Sequence, residues 1–539
     1  MPDNTSDTGL TAKYWGREAK PGPWDAVIIG SGMGGMTAAA LLAKLGRRVL
    51  VLEQHYVPGG FTHTFARRGY RWDVGVHAVG EMTDRQLPGR LLGGLTDGRL
   101  KWAPLGEVYD TFHLPDGTRI DFPDNPRQFR ENLVAAFPAG AAAIDEYLRL
   151  VRQVGGDMRA YYLTRLLPPR LGALADRLIA RRAQRHLATT VADVVSRLTD
   201  DRRLRTMLTA QWGYYGTAPS RASFAMQAGV VGHFMHGGYY PVGGSDSIAR
   251  ELLRTVAEAD GWTRVRADVR EIIVERGRAV GVRLTDGEEI RAPLVMSAVG
   301  APATVARLLP ETERRAAWTA EVAGLRPGPA HVCLYLGFKG DIRAAGAGPK
   351  NLWFYESWDS KEDVWRVAPD GDLGTAPVLY ASFPSLKDPL HDPGHELRHT
   401  GELVTFVPWE TFLPWRDRRW MRRGADYERF KVQLKEALLE HLFRYRPGLR
   451  PLLDYAELST PVSTDHFMRS ANGSIYGLDS TPERYACRWL RARTPIPGLF
   501  MAGVDVAAPG VVGGAVGGML AVASAKPLAA VPWLRRNVL

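Results

Sequence analysis

Residues 27–54 read VIIGSGMGGMTAAALLAKLGRRVLVLEQ: an apolar strand, glycines at Gly30, Gly32 and Gly35, a helical run, and a second apolar strand ending in Glu53. Gly30 permits the tight turn off the strand, Gly32 lets the backbone approach a pyrophosphate, and Gly35 lets the helix pack closely on the sheet. The free N–H groups and the positive end of the helix dipole favour an anion at the helix start. Glu53 follows Gly30 by 23 residues, near the spacing of about 20 at which a carboxylate meets the ribose of a dinucleotide. An acidic side chain there disfavours a 2′-phosphate. A glycine-rich turn alone can serve close packing and nothing more. Strand, helix, strand and Glu53 together predict a Rossmann-like dinucleotide-binding domain in an α/β protein.

Outward from this unit, Gly59–Gly60 and the segment FTHTFARRGYRWDVGVHAVG (61–80) narrow the expected dinucleotide to FAD. Near the other end, GLFMAGVD (498–505) reads as a strand ending in a carboxylate. The next 20 residues, 506–525, are uncharged and long enough to span a bilayer. They hold Pro509, five glycines from Gly510 to Gly518 and few large side chains, so they read as a second edge of the flavin site instead. In the middle, GGYYPVGGSDSI (237–248) is a glycine-rich turn opening a helix over 247–258. A strand over 265–274, a hairpin at Asp286–Gly287 and a buried strand LVMSAVG (294–300) follow. The predicted organisation is a flexible tail, 1–23, a discontinuous FAD-binding domain, 24–80, 237–303 and 497–525, and a discontinuous mixed α+β substrate domain, 81–236 and 304–496.

With 539 residues, 45% of them hydrophobic, the chain can bury a large core. Its two cysteines, Cys333 and Cys487, have no metal-binding spacing and fit a reducing compartment. The polar first residues carry no secretory h-region, so a cytoplasmic location is expected. The net charge of +11 suits an anionic surface or ligand. No zinc finger or basic-aromatic array points to nucleic acid. The charge gathers in LTRLLPPRLGALADRLIARRAQRHL (163–187), where six arginines face one aspartate and leucines recur at helical spacing. That pattern suits a helix lying on the inner face of a membrane, and equally an ordinary amphipathic helix with solvated arginines.

The N-terminal unit, the PVGGSDSI turn and AGVDVAAPGVVGG (502–514) resemble the phytoene-desaturase-like branch of the amine-oxidase-like flavoenzymes, which includes carotenoid desaturases, carotenoid isomerases and retinol saturases. The resemblance is strongest at both ends and over 237–300. Between them it thins to matches such as FPSLKDP (383–389) and NGSIYGLDSTPER (472–484). Gly59–Gly60–Phe61 departs from the GGR of carotenoid desaturases. HTF (63–65) and DVGVHAVG (73–80) are closer to retinol saturases, although Phe61 and Thr62 stand where those carry cysteines. The resemblance implies that Gly30, Gly32, Gly35 and Glu53 hold the ADP half of FAD and that Gly59 and Gly60 approach the flavin. Val269 would meet the adenine through its backbone, and Gly503 and Asp505, in AGVD, the ribityl or phosphate region. Gly513 would open the last helix toward the ring. The other role open to Asp505 is N-cap of that helix.

No second dinucleotide fingerprint occurs after residue 80, so an external electron donor or acceptor is expected. His77 is the first candidate for handling a proton, with Tyr239, Tyr240 and Tyr476 as possible cavity-lining partners; core packing is the competing role for each. His233 and His236 lack a third ligand and predict no metal site. The aromatic-rich stretches 224–235 and 404–420, with Trp409, Phe412, Trp415 and Trp420, suit a tunnel for an isoprenoid, polyene or fatty-acyl lipid. The expected activity is reduction of a carbon–carbon double bond in such a lipid. Desaturation and cis–trans isomerisation are the nearest alternatives. A Rab-GDI-like carrier without flavin chemistry, or an amine oxidase, is more distant.

Overall fold

The computed structural model describes residues 13–358, 364–369 and 371–539. Six parallel strands form the first sheet, in the order Trp15–Gly16, Trp262–Val265, Val49–Glu53, Ala26–Ile29, Val295–Ser297 and Leu499–Met501. Val49–Glu53, Ala26–Ile29 and Val295–Ser297 are buried along their whole length, as a sheet covered on both faces requires. Two expectations change here. Residues 15–16, placed in the tail, pair with Thr263–Arg264 as an edge strand; residues 1–12 lie outside the described residues. The single strand expected over 265–274 is two, Trp262–Val265 in the sheet and Val269–Glu275 in a separate three-stranded antiparallel layer.

The helix Met33–Lys44 packs against the last long helix, Gly510–Ala525, through glycines on both. A Cβ on Gly518 would come within 2.4 Å of the Gly34 carbonyl oxygen, and one on Gly517 within 2.1 Å of the Gly503 oxygen. The small residues of 506–525 thus serve a backbone-to-backbone contact. No helix among the described residues is long and apolar enough to cross a membrane.

The second large sheet has seven strands, Leu453–Ser459, Ala330–Lys339, Arg398–Val407, Val378–Ser382, Asn351–Tyr355, Val108–His113 and Arg119–Pro123, antiparallel except between the fifth and sixth. Period-two alternation divides its side chains. Leu352, Phe354, Leu379 and Ala381 join the core beneath the helix Ala425–Tyr445, while Trp353, Tyr355 and Tyr380 join the one under Ala141–Thr164 and Phe224–Phe234. Trp409, Phe412 and Trp415, expected along a tunnel, fill the first of these cores. The core around the parallel sheet also takes in Leu91, Leu92 and Leu95, and Val305 to Val322, from segments assigned by sequence to the substrate side.

The basic stretch forms two short helices, Pro169–Leu178 and Arg181–Ala188. Leu163, Leu171, Leu174, Leu178 and Ile179 are 56–72% exposed, so the apolar stripe faces outward. Arg165 does not belong to the basic surface. It is buried with Arg491 around Asp176, whose Oδ2 accepts from the two guanidinium groups at 3.0 and 2.5 Å. Asp176→Asn leaves two buried cations facing each other and should lower unfolding stability by about 3 kcal/mol, read from the denaturant midpoint.

Candidate active site

The carboxyl ends of the parallel strands open into a cleft of about 1480 Å³, open solvent at its mouth included. This is where ligands bind in such sheets. Gly32, Met33 and Gly34 line it, and the helix they begin has no side-chain cap, so its first N–H groups are left for a ligand. A Cβ on Gly32 would meet nothing within 4 Å, which marks open space in front of the helix start. Gly30 leaves the strand at φ +90°, and a Cβ on Gly35 would lie 2.0 Å from the Gly30 carbonyl oxygen. Gly35 therefore packs helix on strand and does not face the cleft.

Glu53 is buried at the cleft wall. Its Oε2 accepts from the Ser31 N–H (2.9 Å) and hydroxyl (2.6 Å), and its Oε1 from the His55 N–H (2.8 Å). A carboxylate has about four lone-pair sites, so with three donors in place one ribose hydroxyl can still donate to it. The Ala267 N–H donates to the Glu53 carbonyl at 2.8 Å and brings Val269 to the same wall. Gly59 (φ +120°), Gly60 (φ +57°) and Gly503 (φ +99°) also line the cleft in backbone conformations that favour glycine. An uncapped helix start, a carboxylate at ribose spacing and a long, partly apolar cleft fit FAD.

Asp505 joins three segments. Its Oδ2 accepts from the Ala301 N–H at 2.8 Å and its Oδ1 from the Leu478 N–H at 2.9 Å. It does not cap the helix Gly510–Ala525, which starts behind Pro509. Gly513, expected to open that helix, lies one turn inside it and away from the cleft. A Cβ there would come within 1.9 Å of the Ala508 oxygen, so its role is packing.

The four proton-handling candidates separate. Tyr476 lines the cleft, with its hydroxyl donating to the Gly213 carbonyl at 3.1 Å, and burial raises its pKa. Tyr239 and Tyr240 do not line it: the strand Gly238–Pro241 turns away, and the Tyr240 hydroxyl donates to Asp73. His77 follows the cleft-lining Gly75 and Val76. Its Nδ1 lies 2.8 Å from Glu402 Oε2, out of line for a hydrogen bond, and the Glu402 side chain is wholly buried. Burial, then Lys387, pulls the imidazole down to about 3, whereas burial pushes the Glu402 carboxyl well above the usual range. The proton of this pair therefore rests on Glu402.

Sequence reading missed the groups around His77. Lys387, in FPSLKDP, is buried and donates to the His77 carbonyl (2.7 Å), Asn351 Oδ1 (2.5 Å) and Ser382 Oγ (2.7 Å). Burial pulls it down to about 7. The buried His331 ring is pulled down to about 4 by burial and then by the nearby His77 ring.

The chain belongs to the family of flavin-containing amine oxidoreductases, which it matches over residues 33–524. It is a flavin-dependent oxidoreductase with FAD as its cofactor. It is 32% identical over 522 residues to an all-trans-retinol 13,14-reductase of Danio rerio, covering 93% of this chain and 85% of the relative. A chloroplastic prolycopene isomerase of Daucus carota is 24% identical, over 84% of this chain and 72% of that one. Among solved structures, cyclohexylamine oxidase from Brevibacterium oxydans shares the fold at TM-score 0.61 and 16% identity, covering 94% of this chain and all of that one (100%).

Asp505→Ala strands two buried N–H groups, which costs roughly 2–4 kcal/mol. The purified variant should lose FAD on gel filtration, measured as the flavin-to-protein absorbance ratio.

Proposed function

We propose that this protein is an FAD-dependent reductase that saturates a carbon–carbon double bond of a hydrophobic polyene lipid. In this reading it takes electrons from an external donor and works at the cytoplasmic face of a membrane. The observation that carries the reading is the 32% identity to an all-trans-retinol 13,14-reductase across 93% of the chain. Bound flavin supplies the hydride chemistry. The chain's residues bind and orient: Phe61, Val76, Ile475 and Tyr476 wall the cleft with apolar surface and keep water from it. His77, beside that wall, delivers the proton that saturation requires.

The resemblance to a prolycopene isomerase favours a second reading, cis–trans isomerisation at the same site. Mass spectrometry after anaerobic incubation with retinol and a carotenoid panel separates the two. Chemically reduced enzyme should yield a product heavier by two hydrogens. An unchanged mass at shifted retention would mean isomerisation, and loss of two hydrogens from oxidised enzyme desaturation. In the same assay His77→Gln should slow turnover about 100-fold and leave the flavin spectrum unaltered.

The outward leucines of 163–179, with Arg170, Arg177, Arg181 and Arg182 exposed beside them, support the membrane part of the reading. A contiguous apolar patch rimmed by cations suits an anionic bilayer. Changing Leu171, Leu174 and Leu178 together to Ser should abolish co-sedimentation with anionic liposomes while FAD occupancy is kept.

A further inference from the structure

A second cleft, of about 1130 Å³ with open solvent included, adjoins the flavin cleft just past Glu53. Gln54, Arg307 and Arg469 line both, so the two run together. The wall of this outer cleft is built on the buried carboxylate. The His55 N–H donates to Glu53 Oε1 at 2.8 Å, and the His55 carbonyl accepts from the Arg266 N–H at 3.0 Å. Four arginines, Arg266, Arg307, Arg416 and Arg469, stand around the cavity. The carboxylates near them are already engaged, Asp268 with Arg469 at 2.7 Å and Asp465 with Arg416 at 3.4 Å. The Arg266 and Arg307 guanidinium groups have no hydrogen-bond or ion-pair partner among the described residues. Burial, then the charge of Arg469, pulls the Arg307 guanidinium down, so cations here face one another uncompensated.

Irregular backbone holds three of these cations in place. Arg266 (φ +55°) and Arg469 (φ +50°) occupy the left-handed region that favours glycine, and Arg307 lies in a single π-helical turn, Thr304–Leu308. Such conformations are unfavourable by themselves and gather where a ligand is held. A guanidinium presents parallel N–H groups that match the oxygens of a phosphate, and two of them without carboxylate partners leave that match open. An aromatic wall completes the cleft: Tyr56, 47% exposed, stacks on His55 with ring centroids 4.3 Å apart.

We propose that the outer cleft binds a phosphate-bearing anion, separate from FAD, which closes the Glu53 end of the flavin cleft and slows loss of the cofactor. Arg266 and Arg307 hold the phosphate, and Arg416 and Arg469 add charge from the sides. The phosphates of FAD itself are assigned elsewhere, to the uncapped helix start after Gly32, where open space lies in front of the free N–H groups. The recognised chemistry is shared by a soluble phosphate ester and by a phospholipid headgroup. The closing role rests on the assignment of the ADP half of FAD to Gly32 and Glu53. It does not depend on which substrate the flavin reduces, so a failure of polyene reduction leaves it standing.

Inorganic pyrophosphate titrated calorimetrically into the FAD-loaded protein should bind at one site. Changing Arg266→Gln and Arg416→Gln together, at positions that line the outer cleft alone, should weaken that binding about tenfold. Arg276→Gln, at an exposed position between the strands Val269–Glu275 and Arg278–Leu284, should leave it unchanged. At saturating pyrophosphate, FAD release on dilution, followed by flavin fluorescence, should slow about tenfold in the native protein and not in the double variant. Phosphatidylcholine vesicles containing phosphatidic acid form the second arm. If they slow FAD release where pyrophosphate does not, and the double variant abolishes the effect, the anion is a lipid headgroup and the proposal stands. Equal weakening by Arg276→Gln, competition between pyrophosphate and FAD, or FAD release unchanged by both probes would overturn it.

Discussion

A Cβ on Gly34 would lie 2.3 Å from the Cα of Gly503, a position 469 residues further along the 539-residue chain. No side chain fits between them. That approach lets the helices Met33–Lys44 and Gly510–Ala525 lie backbone to backbone, and it places the AGVD turn beside the cleft-lining helix start. From there Asp505 reaches the Ala301 and Leu478 N–H groups, so four separate stretches of chain meet at one cleft wall. Polar groups buried at such a junction must be satisfied, because an orphaned N–H costs about as much as the bond is worth.

The parallel sheet was legible because its signals are local. Residues 27–54 carry strand, turn, helix and carboxylate in one run, and the glycines of 506–525 betray a close approach even without its partner. The family resemblance picks out Gly59, Gly60 and Gly503, which line the cleft, and Gly513, which does not. What the sequence concealed were groups whose meaning depends on which surface covers them. Glu402 lies in RHTGELVTFV (398–407), on one face of the strand Arg398–Val407. In the fold that face is roofed by the hairpin 64–73, and the carboxyl is sealed in. Lys387 lies in a polar turn after Phe383, where a lysine is ordinarily solvated, and only tertiary packing gives it three buried acceptors.

The basic stretch leaves two readings open, a helix on a bilayer surface and an ordinary amphipathic helix with solvated arginines. The first helix, Pro169–Leu178, sits on Gly172 and Ala175, small enough for close packing, and is fastened by Arg491 reaching across to Asp176. The leucines are therefore turned out. Periodicity identifies two faces of a helix but cannot say which one the rest of the protein uses.

The arrangement of the parallel sheet also bears on synthesis. Ala26–Ile29 emerges early, yet its neighbour Val295–Ser297 comes some 270 residues later, and the strand beyond that, Leu499–Met501, near the end. Contacts so distant in sequence form slowly, since loop closure precedes their stabilisation. A nascent chain thus carries the complete glycine-rich strand–helix–strand unit for most of its translation without the wall that closes the cleft. Flavin capture becomes a post-translational event, and until then the open sheet edges must be kept from pairing with other chains.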